Sequence, residues 1–398
     1  MRTEINPLLQ NRTLVQEADS ILRKCVHCGF CTATCPTYQL TGDELDGPRG
    51  RIYLIKNMLE DNAITAGCAL HLDRCLTCRS CETTCPSGVE YGRLLDIARG
   101  LRLEVSAPPY WRRLLSAMIR LVIPRPRLLR PLLRLGRLFR PILPSFIRMH
   151  VPPAMPVAHK VDTGVKGRVL LLGGCIQSAA TPNVVASLQA VLKKQGVQAE
   201  SLSEGCCGAL DYHLGAHDAG RRRMMQVVDL LHPRLAEVDA IVSSATGCGV
   251  TVKEYPEILK DDPVYADRAR AVADKVVDAV ELLEQYSLPS ITGRVAVHTP
   301  CSMQHGMKLV GRIEALLSNA GVTILPHKDG HLCCGSAGTY SILEPEISRQ
   351  LRARKIDALT EAQPEVILTA NIGCQLHLGE GSETPVMHWL EWLSADVD

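Results

Sequence analysis

Two stretches decide the fold of the N-terminal region: Cys25-Val-His-Cys28-Gly-Phe-Cys31-Thr-Ala-Thr-Cys35-Pro36 and Cys75-Leu-Thr-Cys78-Arg-Ser-Cys81-Glu-Thr-Thr-Cys85-Pro86. Both have the spacing C-x2-C-x2-C-x3-C-P, which is typical of loops that bind [4Fe–4S] clusters. Thiolates suit this task because soft, anionic sulfur binds iron and offsets the positive charge of the cluster core. Zinc sites favour two separated C-x2-C pairs, so four cysteines followed by proline, found twice, indicate iron–sulfur clusters rather than zinc.

In two-cluster ferredoxins the first three cysteines of a motif bind one cluster and the fourth binds the other. The sequence therefore predicts two crossed ligand sets: Cys25, Cys28, Cys31 and Cys85 for cluster 1, and Cys75, Cys78, Cys81 and Cys35 for cluster 2. Transfer between clusters requires short distances and tuned potentials but no acid or base, so we predict no catalytic residue. Arg79, inside the second motif, either raises the potential of its cluster or is a solvated loop arginine, and we expect the latter.

A second, larger duplication contains most of the remaining cysteines. Segments beginning at Arg168 and Arg294 align, with Cys175, Cys206, Cys207 and Cys248 matching Cys301, Cys333, Cys334 and Cys374. Each copy alternates short apolar runs with helical patterns, which we place at residues 184–195, 221–231, 310–320 and 347–360. This pattern predicts parallel sheets covered by helices, with Cys175, Cys248, Cys301 and Cys374 just beyond the carboxyl ends of strands.

The predicted architecture is α+β and multi-domain. A mostly helical, two-cluster ferredoxin-like domain at residues 1–107 precedes a basic Pro/Arg/Leu-rich linker at 108–160. A tandem pair of α/β cysteine-rich modules follows at 161–288 and 289–398. The 398 residues are long enough for several cores, and 46% apolar and 22% charged residues are ordinary for a globular protein.

The role of the 17 cysteines depends on whether the protein lies in an oxidising or a reducing compartment. Residues 1–24 contain no apolar stretch of signal-peptide length, and no run approaches the ~18 apolar residues that cross a bilayer. We therefore expect an intracellular protein, in which clustered cysteines bind metals or act as redox groups rather than form disulfides. Cys68 lies outside every motif and is expected to be structural.

The linker is strongly basic. Ten arginines and no acidic residue lie between Tyr110 and His150. The whole chain has 44 basic and 42 acidic residues, so the rest of it, with 44 − 10 = 34 basic residues, is net acidic. Prolines 124, 126, 131, 141 and 144 are expected to allow short helices at most. The interleaved leucines suit either an anionic membrane surface or a protein partner, and both interpretations stay open. Without a nucleic-acid motif or stacking aromatics, we expect no nucleic-acid partner.

Together with these motifs, the segment Gly42-Asp-Glu-Leu-Asp-Gly-Pro-Arg-Gly-Arg-Ile-Tyr-Leu-Ile-Lys56 and the segment Leu332-Cys-Cys-Gly-Ser-Ala-Gly-Thr-Tyr340 resemble the iron–sulfur subunits of bacterial glycolate oxidase (glycolate dehydrogenase). The resemblance implies a non-catalytic electron-transfer subunit of an oxidoreductase complex. FAD-binding dehydrogenase subunits would oxidise glycolate to glyoxylate, and a quinone-type acceptor would receive the electrons. It also implies a cytoplasmic location, peripheral on the inner membrane.

Related families leave alternatives open for this chain. It resembles, less closely, electron-transfer and membrane-anchoring subunits of glycerol-3-phosphate dehydrogenase and lactate-utilisation proteins. A third likeness is to heterodisulfide reductase, in which five cysteines in the pattern C…CC…C-x-x-C bind an unusual [4Fe–4S] cluster. At the last position of that pattern the first copy has Thr251 and the second has His377.

The resemblance to heterodisulfide reductase therefore implies a possible third centre in the second copy, at Cys301, Cys333, Cys334, Cys374 and His377. The set Cys175, Cys206, Cys207 and Cys248 of the first copy is a weaker candidate. Buried structural thiols and redox-active cysteine pairs are the alternatives. His213, His298, His305 and His331 lie near these cysteines in the sequence, and we expect them to be ordinary surface or core histidines.

Overall fold

The computed structural model describes residues 1–106, 108–139, 167–202 and 205–395. The first part is helical, as predicted: α1 (Thr13–Lys24), α2 (Pro36–Thr41), α3 (Pro48–Asp61), α4 (Ala66–Asp73), α5 (Ser80–Thr84) and α6 (Tyr91–Val105), with 3-10 turns at Phe30–Thr32 and Glu44–Asp46. The proline after Cys35 is the first residue of α2, where no backbone N–H is needed. Leu22, Ile55 and Leu94 are buried in the core that α1, α3 and α6 share.

Two longer helices follow, α7 (Tyr110–Val122) and α8 (Pro126–Phe139). The prediction of short helices at most is therefore wrong for the described part of the linker. Pro124 falls between the helices and Pro126 begins α8, so neither proline removes a hydrogen bond from a helix interior. Only Pro131 lies inside α8. Prolines 141 and 144 and the predicted boundary at 160/161 lie outside the described residues.

The two cysteine-rich modules have the same topology. The first contains β1 (Gly167–Leu172), β2 (Val197–Leu202), β3 (Ala240–Ser243) and β4 (Val276–Asp278), in the order β2-β1-β3-β4. The second contains β5 (Arg294–His298), β6 (Thr323–Ile324), β7 (Val366–Thr369) and β8 (Val386–His388), in the order β6-β5-β7-β8. Every pair is parallel, which confirms the predicted alternation of strands and helices.

Helices cover both sheets. Those of the first module are α9 (Gln177–Ala180), α10 (Asn183–Lys194), α11 (Ala209–His213), α12 (His217–Leu231), α13 (Thr246–Lys253), α14 (Tyr255–Ile258), α15 (Ala266–Lys275) and α16 (Ala279–Leu283). A 3-10 turn at His232–Arg234 follows α12. Those of the second are α17 (Arg312–Asn319), α18 (Tyr340–Leu343), α19 (Pro345–Thr360), α20 (Ile372–Gly381) and α21 (Trp389–Ala395), with a π-helical turn at Ser302–Gly306.

The modules share one hydrophobic core. Val169 and Leu171 of β1 belong to the same buried cluster as Val295 and Val297 of β5 and Trp389 of α21. The N-terminal domain packs against both modules: the Tyr340 hydroxyl donates to the carbonyl of Arg74 at 3.0 Å, and Asp96 lies 2.9 Å from Nδ1 of His213. These contacts bring the second cysteine loop against the carboxyl ends of the strands.

Candidate iron–sulfur centres and central cavity

The structure brings the first crossed set together. Cys25, Cys28, Cys31 and Cys85 line one small cavity, so the fourth cysteine of the second motif lies beside the first loop. Cys81 lines this cavity as well as the second one, so the two cavities are neighbours. The loop turns through left-handed backbone at His27 (φ 56°) and Gly29 (φ 86°). Cys28 is exposed, and the side chains of Val26 and Phe30 beside it are 67% and 60% exposed. This loop therefore opens on the protein surface.

The second crossed set lines a separate cavity. Cys75, Cys78, Cys81 and Cys35 surround it, and three of these thiols are buried. The second loop repeats the left-handed turns at Thr77 (φ 54°) and Arg79 (φ 63°), the positions equivalent to His27 and Gly29. The two loops thus have the same backbone path but different surroundings.

The thiols have the chemistry that a cationic iron core requires. Burial, together with the neighbouring Cys25 and Cys85, raises the pKa of Cys31 to about 11. Burial also raises the pKa of Cys78 and Cys81, with further contributions from Cys75 and Cys35. Grouped thiolates in such sites repel one another unless a metal offsets their charge, so the residues fit an iron–sulfur cluster in each cavity.

A larger cavity of about 360 Å³, the central cavity, lies where the N-terminal domain meets both modules. Cys75 and Cys78 of the second loop line it from one side. The cysteines that line it from the modules are Cys175, Cys206, Cys207 and Cys248 of the first and Cys301, Cys333 and Cys374 of the second. Cys175, Cys248, Cys301 and Cys374 lie just after β1, β3, β5 and β7, as predicted.

In the first module the four cysteines form one thiol group. Sγ of Cys175 lies 3.7 Å from Sγ of Cys206, and hydrogen bonding to Cys206 with burial raises the pKa of Cys175. The hydroxyl of Thr251, at the last position of the repeat pattern, donates to the carbonyl of Gly247 at 2.8 Å. The Thr251 hydroxyl thus hydrogen-bonds within α13.

In the second module, Sγ of Cys301 lies 3.9 Å from Sγ of Cys333. The ligand atoms of His298, Cys334 and Cys374 all lie within 4.8 Å of one another, and all three residues are buried. His377, the expected fifth ligand, instead has Nε2 at 3.2 Å from the hydroxyl of Ser348. The structure therefore places His298 beside Cys334 and Cys374.

Comparison with known proteins separates the same parts of the chain, the N-terminal region with the two cysteine loops and the two cysteine-rich modules. A model of the 4Fe–4S dicluster domain matches residues 21–89, and a model of the cysteine-rich domain matches residues 169–253 and 295–379. The glycolate oxidase iron–sulfur subunit of Escherichia coli is 48% identical over 98% of both chains. The chain belongs to the glycolate oxidase iron–sulfur subunit family. It is an electron-transfer protein that carries iron–sulfur clusters, as the sequence predicted.

Two further relatives and one solved structure are less similar to this chain than the Escherichia coli subunit is. A probable glycolate oxidase iron–sulfur subunit of Bacillus subtilis is 30% identical over 94% of this chain and 92% of its own. Lactate utilization protein A of Bacillus cereus is 30% identical over 57% of this chain and 99% of its own. A hypothetical protein from Helicobacter pylori has a similar fold, with a TM-score of 0.58 at 9% identity over 97% of this chain and 72% of its own.

Sequence reasoning missed a buried charge network beside the second loop of this family member. Arg51 is buried, lines the second cysteine cavity, and donates to the carbonyl of His71 at 2.7 Å and the hydroxyl of Thr37 at 3.1 Å. Its guanidinium lies 3.4 Å from the buried carboxylate of Asp46, which also binds Arg74 at 3.1 Å. Although burial opposes the charge, nearby Cys75 and Cys35 help to raise the pKa of Arg51.

Arg79 is not a solvated loop arginine. Its side chain is only 18% exposed and forms an ion pair with Glu254 of the first module. The expectation fails because the N-terminal domain packs on the modules there, which the motif spacing does not reveal. Arg99 supports the same loop by donating to the carbonyl of Cys75 at 2.8 Å and the hydroxyl of Thr77 at 2.9 Å.

The remaining predicted residues have ordinary surroundings. His213 is paired with Asp96, Nδ1 of His305 lies 2.9 Å from the hydroxyl of Thr83, and His331 is exposed. Cys68 packs against the core of the N-terminal domain, away from both cysteine cavities. Within the ranges that the structure describes, no helix has the length and apolar character needed to cross a bilayer.

Proposed function

We propose that this chain is the electron-transfer subunit of a glycolate-oxidising complex. FAD-binding dehydrogenase subunits convert glycolate to glyoxylate, and a quinone-type acceptor receives the electrons. The observation that carries the proposal is the pair of neighbouring cysteine cavities, each completed by a cysteine of the other motif. The 48% identity to a glycolate oxidase subunit over nearly the full length supports the choice of substrate.

The ligands of the proposed clusters are the two crossed sets. Cys25, Cys28, Cys31 and Cys85 hold cluster 1, and Cys75, Cys78, Cys81 and Cys35 hold cluster 2. When bound, such clusters take up and release single electrons without proton transfer by side chains. The protein holds the thiols in position, places the buried Arg51 and the largely buried Arg79 beside the second set, and limits access of water to it.

The different surroundings of the two cysteine loops support a direction of electron transfer through the protein. The first loop opens on the surface at Cys28, Val26 and Phe30, where a partner subunit can approach closely. The second loop faces the central cavity, where Cys301 lies close enough to Cys78 to help raise the pKa of the Cys78 thiol, which burial raises most. We assign electron entry to the first loop and exit to the second.

Helices α7 and α8 support a peripheral position on the cytoplasmic face of the inner membrane. Arg112 binds Glu344 at 2.9 Å and Arg120 binds Asp211 at 2.5 Å, which fixes α7 to the modules. Ten apolar or aromatic side chains of the pair stay exposed: Tyr110, Trp111, Leu114, Met118, Leu121, Leu128, Leu132, Leu135, Leu138 and Phe139. Exposed apolar residues among arginines suit an anionic lipid surface.

The second module is proposed to hold a third metal centre. The set expected from the sequence is Cys301, Cys333, Cys334, Cys374 and His377, and the corresponding set of the first module, which has Thr251, is the weaker candidate. The predicted domain boundaries at 107/108, 160/161 and 288/289 remain predictions.

The division of labour is tested by Cys28→Ser in the assembled complex. Glycolate should still reduce the flavin, whereas electron flow to an external acceptor should be lost, because one ligand of the surface-facing cluster is missing. Cys68→Ser, outside both cysteine cavities, is the matched control and should leave both reactions unchanged. Loss of flavin reduction in an intact Cys28→Ser complex contradicts the proposal, and reduction by lactate but not glycolate contradicts the substrate.

A further inference from the structure

The imidazole of His298 is buried and has no hydrogen-bond partner within the described part of the chain. His298 ends β5, is 1% exposed, and neither Nδ1 nor Nε2 has a partner among the described residues. A buried imidazole is normally fixed by a hydrogen bond from at least one nitrogen, because an unpaired polar group loses its contact with water without compensation. The ring nitrogens of His298 are therefore open to a ligand that the protein itself does not supply.

Two thiols lie beside this imidazole. The ligand atoms of His298, Cys334 and Cys374 are all within 4.8 Å of one another. Ligands of a tetrahedral zinc ion are about 3.3–3.8 Å apart, given metal–ligand distances of ~2.0–2.3 Å. The three side chains thus need to move together by roughly an ångström to share one ion, and a nitrogen with two sulfurs is a set preferred by zinc(II) and iron(II).

The first module lacks this arrangement. Leu172 occupies the position of His298 in the aligned strand, and Thr251 occupies that of His377. The chain therefore contains an internal reference in which the thiols are present but the imidazole is not. His377 of the second module has Nε2 directed at Ser348, at 3.2 Å from the hydroxyl and 3.4 Å from the carbonyl oxygen.

The charge around the site favours a metal bound by thiolates. Lys355 is buried beside Cys333, Cys334 and Cys374, and its ammonium donates to the carbonyl of Asp329. An ion of charge +2 with three thiolates and a neutral imidazole has a net charge of −1, which one buried ammonium balances. Cys333 directly precedes Cys334 in the chain and, like Cys374, lines the central cavity. Cys333 is therefore the candidate for the third thiolate.

We propose that His298, Cys334 and Cys374 bind a single zinc(II) or iron(II) ion in the second module, with Cys333 as the fourth ligand. This inference refines the third centre of the proposed function by replacing His377 with His298. It does not depend on electron transfer through the two ferredoxin-type loops.

The test is the metal content of the full chain purified without oxygen, with iron and zinc quantified separately. The wild type should hold about eight irons for two cubanes, plus one further ion of iron or zinc. His298→Leu, which introduces the residue of the first module, should lose the further ion and keep the eight irons. The matched variant His377→Thr, which likewise introduces the residue of the first module, should keep both.

Three results would overturn the inference: no ion beyond the eight irons in the wild type, a third cluster of four irons, or retention of the further ion in His298→Leu. Failure of the proposed function looks different, because the eight irons themselves would then be absent. If His298→Leu loses the cubanes through misfolding, Cys374→Ser and His298→Gln are compared instead. Retention of the further ion in both of these variants overturns the assignment.

Discussion

The two cysteine loops have one spacing and one backbone path but opposite surroundings. The first carries Gly29 at its second left-handed turn and faces solvent through Cys28. The second carries Arg79 at that position, where a side chain costs about 1 kcal/mol of backbone strain, and Glu254 of the first module holds it in place. The motif thus specifies the spacing of the cysteines and the path of the loop, whereas the surrounding helices decide whether a loop faces solvent or the interior.

The largest expected effect tests the crossing of the two sets. Cys85→Ser alters the second motif in sequence but the cavity of the first loop in space. We expect it to remove cluster 1, with about four irons lost per chain, and to leave the cluster at the second loop. Iron quantitation and EPR of the reduced protein check this. Loss of the signal from the buried cluster, with the surface cluster retained, would refute the crossed pairing.

The next prediction compares two arginines of α3. Arg51→Met should lower the free energy of unfolding by about 3 kcal/mol, because it removes a buried partner of Asp46 beside the second loop. Arg49→Met, beside the first loop, removes a half-exposed pair with Glu44 and should cost at most about 1 kcal/mol. Anaerobic denaturation followed by cluster absorbance measures both, and equal losses would show that the loops are not differently buried.

A smaller effect concerns redox potential. Arg79→Gln should lower the midpoint potential of the cluster at the second loop by roughly tens of millivolts, because a nearby positive charge stabilises the reduced, more negative form. Glu254→Gln removes the partner carboxylate and should shift the potential in the opposite direction. Redox titration followed by EPR measures both variants, and shifts of the same sign would rule out this electrostatic account.

The smallest effect is expected at the surface. Phe30→Ala should lower the apparent affinity of this subunit for the flavoprotein subunits by roughly two- to tenfold. The reason is that Phe30 is exposed, and exposed aromatic residues often anchor interfaces. Val264→Ala, equally apolar and 53% exposed but far along the chain, is the control. Titration of the subunit with its partners gives the affinity, and identical behaviour of both variants would move the entry site elsewhere.

The sequence predicted the repeating parts of the molecule well. Both cysteine motifs, the parallel sheets and the positions of Cys175, Cys248, Cys301 and Cys374 after strands follow from spacing and periodicity, which are local properties. The expectation of short helices in the linker fails because Pro126 does not break a helix but begins α8, where its missing N–H costs no hydrogen bond.

Other features depend on contacts between distant residues. The burial of Arg79 requires Glu254, 175 positions away, and the central cavity exists only because the second loop packs against both modules. His298 appeared ordinary because its neighbour Cys374 lies far along the chain. A comparison of the two repeats, which shows Leu172 opposite His298, was the available signal.

The most direct test of the central claim is iron quantitation with EPR on oxygen-free protein reduced by dithionite. The two crossed thiol sets predict about eight irons in cubane form and a spectrum in which two reduced clusters interact magnetically. A colourless, iron-poor chain, or zinc bound at the two loops, would contradict the account.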